Sequence, residues 1–405
     1  MPPHLYITSK QNKINMQLGK LKFRGDQYIW FAVFALSLLG MLAVYSATGS
    51  LAFKKQDGNT EYFLFKHALF LFGGFFLMYF FHLLDYKYFS RISQIAVIVS
   101  ILLLIYTLFF GNDINEAKRT VTILGITFQS SDLAKFSLIM FIARYLSKNQ
   151  EELNSWKGFG AIVLYISIIC VLIMPENLST SLVLFFTCSM LLFIGNARIR
   201  HLLVLALAFG LLGFIGLMTL LKAPDSMLPG RASTWKARIE NYSSSDTAEV
   251  FQTVQAKIAI AGGGLTGKGP GKGEQSAYLP HSYSDFIFAV IIEEYGLLFG
   301  GLSVIFLYLL ILYRSIRIVI KSPKAFGALL AVGLSFSLVL QAFIHMAVAT
   351  NVFPLTGLTL PLISMGGTSI IFTSAAFGVL LSVSRAVEEQ SEGLATPEKE
   401  EVASA

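Results

Sequence analysis

Ten stretches of this chain are apolar over about 16 to 30 residues each, and no other feature narrows its fold so far. A helix needs roughly 20 apolar residues to cross a hydrocarbon core about 30 Å thick, because lipid offers no partner for an unpaired backbone amide or carbonyl. The runs lie near Tyr28 to Thr48, Tyr62 to His82, Ser93 to Phe110, Leu133 to Ser147, Phe159 to Met174, Ser179 to Gly195, Leu202 to Leu221, Asp285 to Tyr313, Phe326 to Thr350 and Ser369 to Ser384. Of the 405 residues, 55% are hydrophobic and 14% charged, against about 25% charged in soluble domains. The expected fold is an all-α integral membrane protein with ten transmembrane helices.

Positive charge sets the orientation. The arm over residues 1–27 carries Lys10, Lys13, Lys20, Lys22 and Arg24, and the even-numbered connections carry Lys87 and Arg91, Lys148 and Lys157, Arg198 and Arg200, then Arg314, Arg317, Lys321 and Lys324. Lys and Arg concentrate on the cytoplasmic side, so both termini are expected there. The first run, long enough to span, reads as its own insertion signal and not as a cleaved leader. The net charge of +7 then faces acidic lipid and does not call for nucleic acid. Cys170 and Cys188 fall inside apolar runs, where a thiol acts as a small apolar side chain; no disulfide or metal site is expected from them.

Between the seventh and eighth runs lies the long connection 222–284, on the outer side by the charge count. Within it Val250, Val254, Ile258 and Ala261 have helical spacing, which reads as a short interfacial or re-entrant helix. Seven glycines follow in the twelve residues 262–273. The stretch Gly262 to Lys268 imitates the start of a nucleotide-binding loop, but Gly269 stands where Ser or Thr is needed and no strand precedes it. Residues 28–385 therefore form one polytopic domain without a visible internal repeat. The acidic segment 386–405 is expected to be a disordered tail.

The polar residues that could carry chemistry gather at that outer side. In Leu279-Pro280-His281-Ser282-Tyr283-Ser284-Asp285-Phe286, a carboxylate sits where the long connection enters the eighth run. Asp285 or Ser284 could simply cap that helix, or Asp285, half-shielded by lipid and aromatic rings, could serve as a general base. Asp132 and Lys135, three residues apart, share one helix face and make either a structural ion pair or part of a polar cavity. Glu293 and Glu294 lie about 12 to 14 Å beyond Asp285 along the helix and point to different faces, which favours packing over catalysis. His281 and His345 read as structural. Arg231, Lys236 and Arg238 could clamp an anion or be solvated.

LPHSYSDFIFAVIIEEYG closely resembles the central motif of the SEDS family, commonly Leu-Pro-Glu-Ala-His-Thr-Asp-Phe-Ile-Phe-Ala followed by Glu-Glu-x-Gly. FQSSDLAK (Phe128 to Lys135) and TGLTLPLISMGGTS (Thr356 to Ser369) resemble two further family motifs, the latter in the form of the division (FtsW) branch and not the elongation (RodA) branch. Ser130, Asp132, His281, Tyr283, His345 and Met365 depart from the usual Pro, Glu, Glu, His, Asn and Tyr, and Lys118-Arg119 keeps the family's basic pair while losing the Trp that follows it.

The resemblance implies a peptidoglycan glycosyltransferase at the outer face of the bacterial cytoplasmic (inner) membrane, working at the division septum on lipid II as donor and acceptor. It makes Asp285 the catalytic acid group. Lys118, Arg119, Asp132, Lys135, Arg231, Arg238 and Ser284 become substrate-binding candidates. It leaves a divalent cation (Mg or Mn) open as cofactor, with no metal ligand assigned. A class B penicillin-binding protein transpeptidase and other division proteins are the implied partners. The alternatives are a lipid II flippase and a non-catalytic division scaffold.

Overall fold

In a computed structural model describing residues 24–55, 58–114, 117–123, 126–224, 232–243 and 248–404, each of the ten apolar runs forms a helix. They are α1 (Gln27–Ala47), α2 (Thr60–Leu83), α3 (Lys87–Phe110), α4 (Ser130–Lys148), α5 (Trp156–Ile173), α6 (Leu178–Ile194), α7 (Ile199–Lys222), the broken pair α10 (Ile287–Gly296) and α11 (Leu302–Lys321), α12 (Ala325–Ala349), and α13 (Thr368–Ser404). Polar side chains start several at the membrane boundary: Asp26 accepts from Tyr28 and Ile29, Asn59 from Tyr62, Ser155 from Gly158 and Asn177 from Thr180. Such caps satisfy amides that the helix itself leaves unpaired.

Eight spans are long and apolar enough to cross a membrane unaided. The other two have physical reasons to differ. Helix α6 has 17 residues, and α4 carries Asp132, Lys135, Arg144 and Lys148 but is enclosed by protein, where ionisable groups in a membrane belong. Helices α12 and α13 form the centre of the bundle. Helix α7 has almost no buried residue; apolar on all sides, it stands off the bundle, touching it through Trp156–His201 and the stacked Phe185–Phe209 rings.

Two features go beyond the sequence reading. A three-stranded antiparallel sheet, β1 (Asn112–Ile114), β2 (Ala117–Ile123) and β3 (Ile126–Gln129), joins α3 to α4. Its β2–β3 register pairs Val121 with Phe128 and Thr122 with Thr127. The β-branched run Thr120-Val121-Thr122-Ile123 and the following Ile126-Thr127-Phe128 suit a pleated surface, and Phe128 rests against Phe372 of α13. The last helix also continues to Ser404, so the segment 386–405, expected as an unstructured tail, is helical in backbone up to that residue. Its Glu, Ala, Lys and Gln residues are good helix formers, whereas Gly393 and Pro397 are poor ones.

The long connection contains α8 (Ala232–Ser243) and α9 (Ala248–Gly263), and α9 is re-entrant. It runs beside α10 until Leu297 and Leu298 donate to the carbonyls of Gly264 and Leu265, while Lys268 and Gly269 donate to those of Glu293 and Glu294. That contact lies about 15 Å along the helix from Ile287, near mid-membrane depth. Glycine makes the approach possible. A Cβ on Gly267 would lie 2.2 Å from the Glu294 carbonyl, and one on Gly296 would lie 2.4 Å from that of Leu265; both residues also adopt positive φ, 82° and 78°. The break between α10 and α11 is thus the seat of the re-entrant loop.

Candidate active site

Asp285 closes a turn, 281–286, that leads into α10, and two neighbouring elements fix this turn. Ser282 donates to the Ala47 carbonyl at the end of α1 (2.9 Å). Ser364 donates to the Ser284 carbonyl (2.7 Å), and the Met365 amide donates to that of Tyr283 (3.0 Å). His281 takes a positive φ of 57° to make the turn, and its backbone carbonyl accepts from the Asp285 amide (3.0 Å). The cap reading does not hold. Phe286 is the capping residue of α10 and has no side-chain bond, while the Ser284 hydroxyl turns back to the His281 carbonyl (3.3 Å).

The Asp285 carboxylate, half-buried, makes no hydrogen bond or ion pair among the described residues. It sits beside Gly357, whose added Cβ would be 3.9 Å from Oδ2. Burial pushes the nearby Tyr283 phenol above its ordinary value, and the Asp285 charge adds to this. An anionic oxygen held by its backbone and unused by its neighbours is available for a substrate proton.

The segment 353–367 between α12 and α13 is irregular, so its carbonyls need partners from outside it. Side chains supply them. Tyr308 donates to the Pro361 carbonyl (2.5 Å), Gln341 to that of Thr359 (2.8 Å), and His345 Nδ1 to that of Leu358 (2.7 Å). Because a carbonyl only accepts, this bond puts a proton on Nδ1; the Asp285 charge also acts on this imidazole. The structural reading of His345 is supported by this bond.

Gln341 also links the segment to α4. Lys135 donates to its Oε1 (3.3 Å) and pairs with Asp132 Oδ1 (2.9 Å); the two charged side chains are 16% and 6% exposed. They line a cleft of about 390 Å³ with Gln341, Ser369 and Thr373, and Asp132 Oδ2 is buried without a hydrogen bond among the described residues. Asp132 and Lys135 thus join a chain of contacts that ends beside Asp285. The pair is an ion pair, and it lines a cleft of mixed polar and apolar walls.

Arg238, on α8, lines a separate groove of about 1100 Å³ whose walls include Leu178, Phe186, Trp235, Phe353 and Leu358. This groove is overwhelmingly apolar, and it borders the segment that carries Gly357. Lys236 instead donates to the Ala223 carbonyl (2.9 Å) and approaches Glu240, holding the corner between α7 and α8. Lys118 and Arg119 fall on β2 at the same end of the bundle, with Lys118 opposite Asp113 in the strand register. The contacts of their side chains, and Arg231 altogether, lie outside the described residues.

Glu293 and Glu294 stay away from this site and grip the Gly-rich loop. Fully buried Glu293 pairs with Lys268 (2.9 Å) and accepts from the amides of Glu274 (3.0 Å) and Gln275 (3.2 Å). Glu294 accepts from Ser46 on α1 and lies against Gly273, where an added Cβ would meet its Oε1 at 3.0 Å. The packing role expected from their depth therefore takes the specific form of anchoring the re-entrant loop. Sequence reading missed Gln341, Lys268 and Glu176, a buried carboxylate that accepts from Ser130 (3.0 Å). The last had a signal, an acidic residue at Pro175-Glu176-Asn177 between two short apolar runs.

Residues 26–389 match the family model described as cell cycle protein, FtsW/RodA/SpoVE. The chain belongs to this family. It is 33% identical over 358 residues to stage V sporulation protein E of Bacillus subtilis, covering 86% of this chain and 94% of that one. It is 32% identical over 365 residues to a probable peptidoglycan glycosyltransferase FtsW of Geobacter sp. (strain M18), covering 89% and 96%. Among solved structures, it superposes on RodA of Thermus thermophilus with a TM-score of 0.64 at 25% identity, covering 89% and 97%. A chain from a structure described as coordinating polymerization and crosslinking in a peptidoglycan synthase complex aligns with a TM-score of 0.72, covering 90% and 98%. At 24% identity the latter speaks for the fold alone.

Proposed function

We propose that this protein is a peptidoglycan glycosyltransferase that joins lipid II disaccharide units into glycan strands. It acts on the outer face of the bacterial cytoplasmic membrane during septal wall synthesis. The observation that carries this reading is the Asp285 carboxylate, uncommitted among the described residues and held by a turn that Ser282 and Ser364 fix to α1 and to the segment 353–367. Family membership and the printed names of relatives support the substrate class.

In this mechanism the acceptor's sugar 4-hydroxyl attacks the donor's anomeric carbon. Asp285 removes the hydroxyl proton as the new glycosidic bond forms, and the bond to undecaprenyl pyrophosphate breaks with inversion at that carbon. The leaving group departs as an anion, so cations close to it lower the barrier. Arg238 serves this role at the groove, whose apolar walls suit a polyprenyl chain; Lys118, Arg119 and Arg231 are assigned to the same end. The Asp132–Lys135–Gln341 chain shapes the cleft. Among the described residues no group of three His, Cys, Asp or Glu side chains gathers as a metal site.

A class B transpeptidase is the proposed partner, with other division proteins around it. The test combines the purified protein, its transpeptidase and lipid II, with electrophoresis of the glycan product. A polymer ladder is expected, and Asp285→Asn should lower its rate by about 10²- to 10⁴-fold, the range of general-base contributions. Normal polymerisation by that variant, or transbilayer movement of lipid II without polymer, would overturn the proposal.

A further inference from the structure

At the opposite, basic end of the bundle, where α1 begins and α11 and the membrane part of α13 end, lies a pocket of about 800 Å³. Its lining includes Asp26, Tyr28, Arg314, Arg317, Lys321 and Glu388. Both acids in it are already engaged. Asp26 caps α1 and accepts from Arg314 Nε (2.7 Å) and Nη2 (2.6 Å), and Arg314 also lies 4.4 Å from the centre of the Tyr28 ring. Glu388 accepts the Gly25 amide (2.6 Å).

The remaining cations are not engaged in this way. Arg317 reaches only the Tyr313 hydroxyl (3.4 Å), and Lys321 has no partner among the described residues. Of the basic side chains near the pocket, Arg385 donates to the Leu83 carbonyl and Arg24 pairs with Glu389. The pocket therefore offers an anion two spare cations, at one and two turns along the same helix. On its membrane side, exposed Tyr28 and Phe31 of α1 and Tyr313, Ile316 and Ile320 of α11 form an apolar border.

We propose that this pocket binds the phosphate headgroup of an anionic phospholipid of the inner leaflet, with Arg317 and Lys321 as its ligands. The lipid's acyl chains run along the Tyr28, Phe31 and Tyr313 surface. Basic pockets between helices on the cytoplasmic side have the chemistry for such headgroups. The chain's own N-terminal arm is a poor occupant, because it brings Lys10, Lys13, Lys20 and Lys22 toward like charge. The inference concerns the end of the bundle away from Asp285 and does not depend on the glycosyltransferase reading.

The test is native mass spectrometry of the full chain released from bilayer discs of mixed phosphatidylglycerol and phosphatidylcholine. The wild type should retain phosphatidylglycerol in preference to phosphatidylcholine. Lys321→Gln, which breaks no bond among the described residues, should weaken that retention about fivefold, and Arg317→Gln/Lys321→Gln roughly 25-fold, as expected when each surface cation acts on an anionic headgroup. Inorganic phosphate added in place of lipid should not displace it. Equal retention of both lipids, unchanged retention by both variants, or displacement by inorganic phosphate alone would overturn the proposal; the last would indicate a free-anion site.

Discussion

Lys135 is the residue whose loss should be felt most widely. Its ammonium neutralises Asp132, which is buried on α4, and holds Gln341, which in turn holds the segment next to Asp285. Removing one partner of a buried ion pair leaves the other charge uncompensated, at a cost of about 3 to 5 kcal/mol. Lys135→Met should therefore lower the unfolding temperature of the purified protein and reduce polymerisation together. His345 permits a cleaner separation of roles. An Asn amide could still donate to the Leu358 carbonyl, so His345→Asn should keep most of the stability, whereas His345→Leu leaves that carbonyl unpaired and should cost about 1 to 3 kcal/mol. Thermal unfolding of the two variants side by side checks this; equal losses would show that the bond is not what matters. These links were only half legible in the sequence. Spacing of three residues brought Asp132 and Lys135 together, but Gln341 is 206 positions from Lys135, and no local pattern reveals a contact made by packing α12 against α4.

At the scale of elements, hydrophobic run length was enough to locate all ten helices, because the bilayer imposes that length on any span. It could not show the sheet before α4, although the alternation Thr120-Val121-Thr122-Ile123 carried the signal, nor how deep α9 goes. Re-entry depends on backbone contact, which side-chain periodicity does not encode; only the glycine density hinted at it. The contact yields a sharp expectation. Gly296→Ala would place a methyl group 2.4 Å from the Leu265 carbonyl at a positive φ, and such strain costs about 1 to 3 kcal/mol before any displacement of the loop. The loop should undock and become open to limited proteolysis near 264–275, and Glu293→Ala, which leaves Lys268 only the longer contact to Glu274 (3.5 Å), should produce the same cleavage pattern. If Gly296→Ala resists protease as the wild type does, the loop is held by its side chains and not by close backbone approach.

For the whole molecule, the orientation ties the two ends to different chemistry. The helices alternate so that Asp285, the sheet and the long connection share one end, while Asp26, Arg314 and Glu388 share the other. Positive charge puts the second end in the cytoplasm, and the proposed reaction needs the first end outside. Both native thiols are buried, so single cysteines can report the sides without background. Tyr278 is exposed near the Asp285 turn, and Ser391 is exposed on α13 at the basic end of the bundle. In intact cells stripped of their outer barrier, a membrane-impermeant maleimide should label Tyr278→Cys at once and Ser391→Cys only after the membrane is opened. The reverse pattern would place Asp285 in the cytoplasm. There the carboxylate would face the compartment in which wall precursors are assembled and not the one in which they are polymerised, and both the proposed reaction and the inner-leaflet lipid site would lose their common basis.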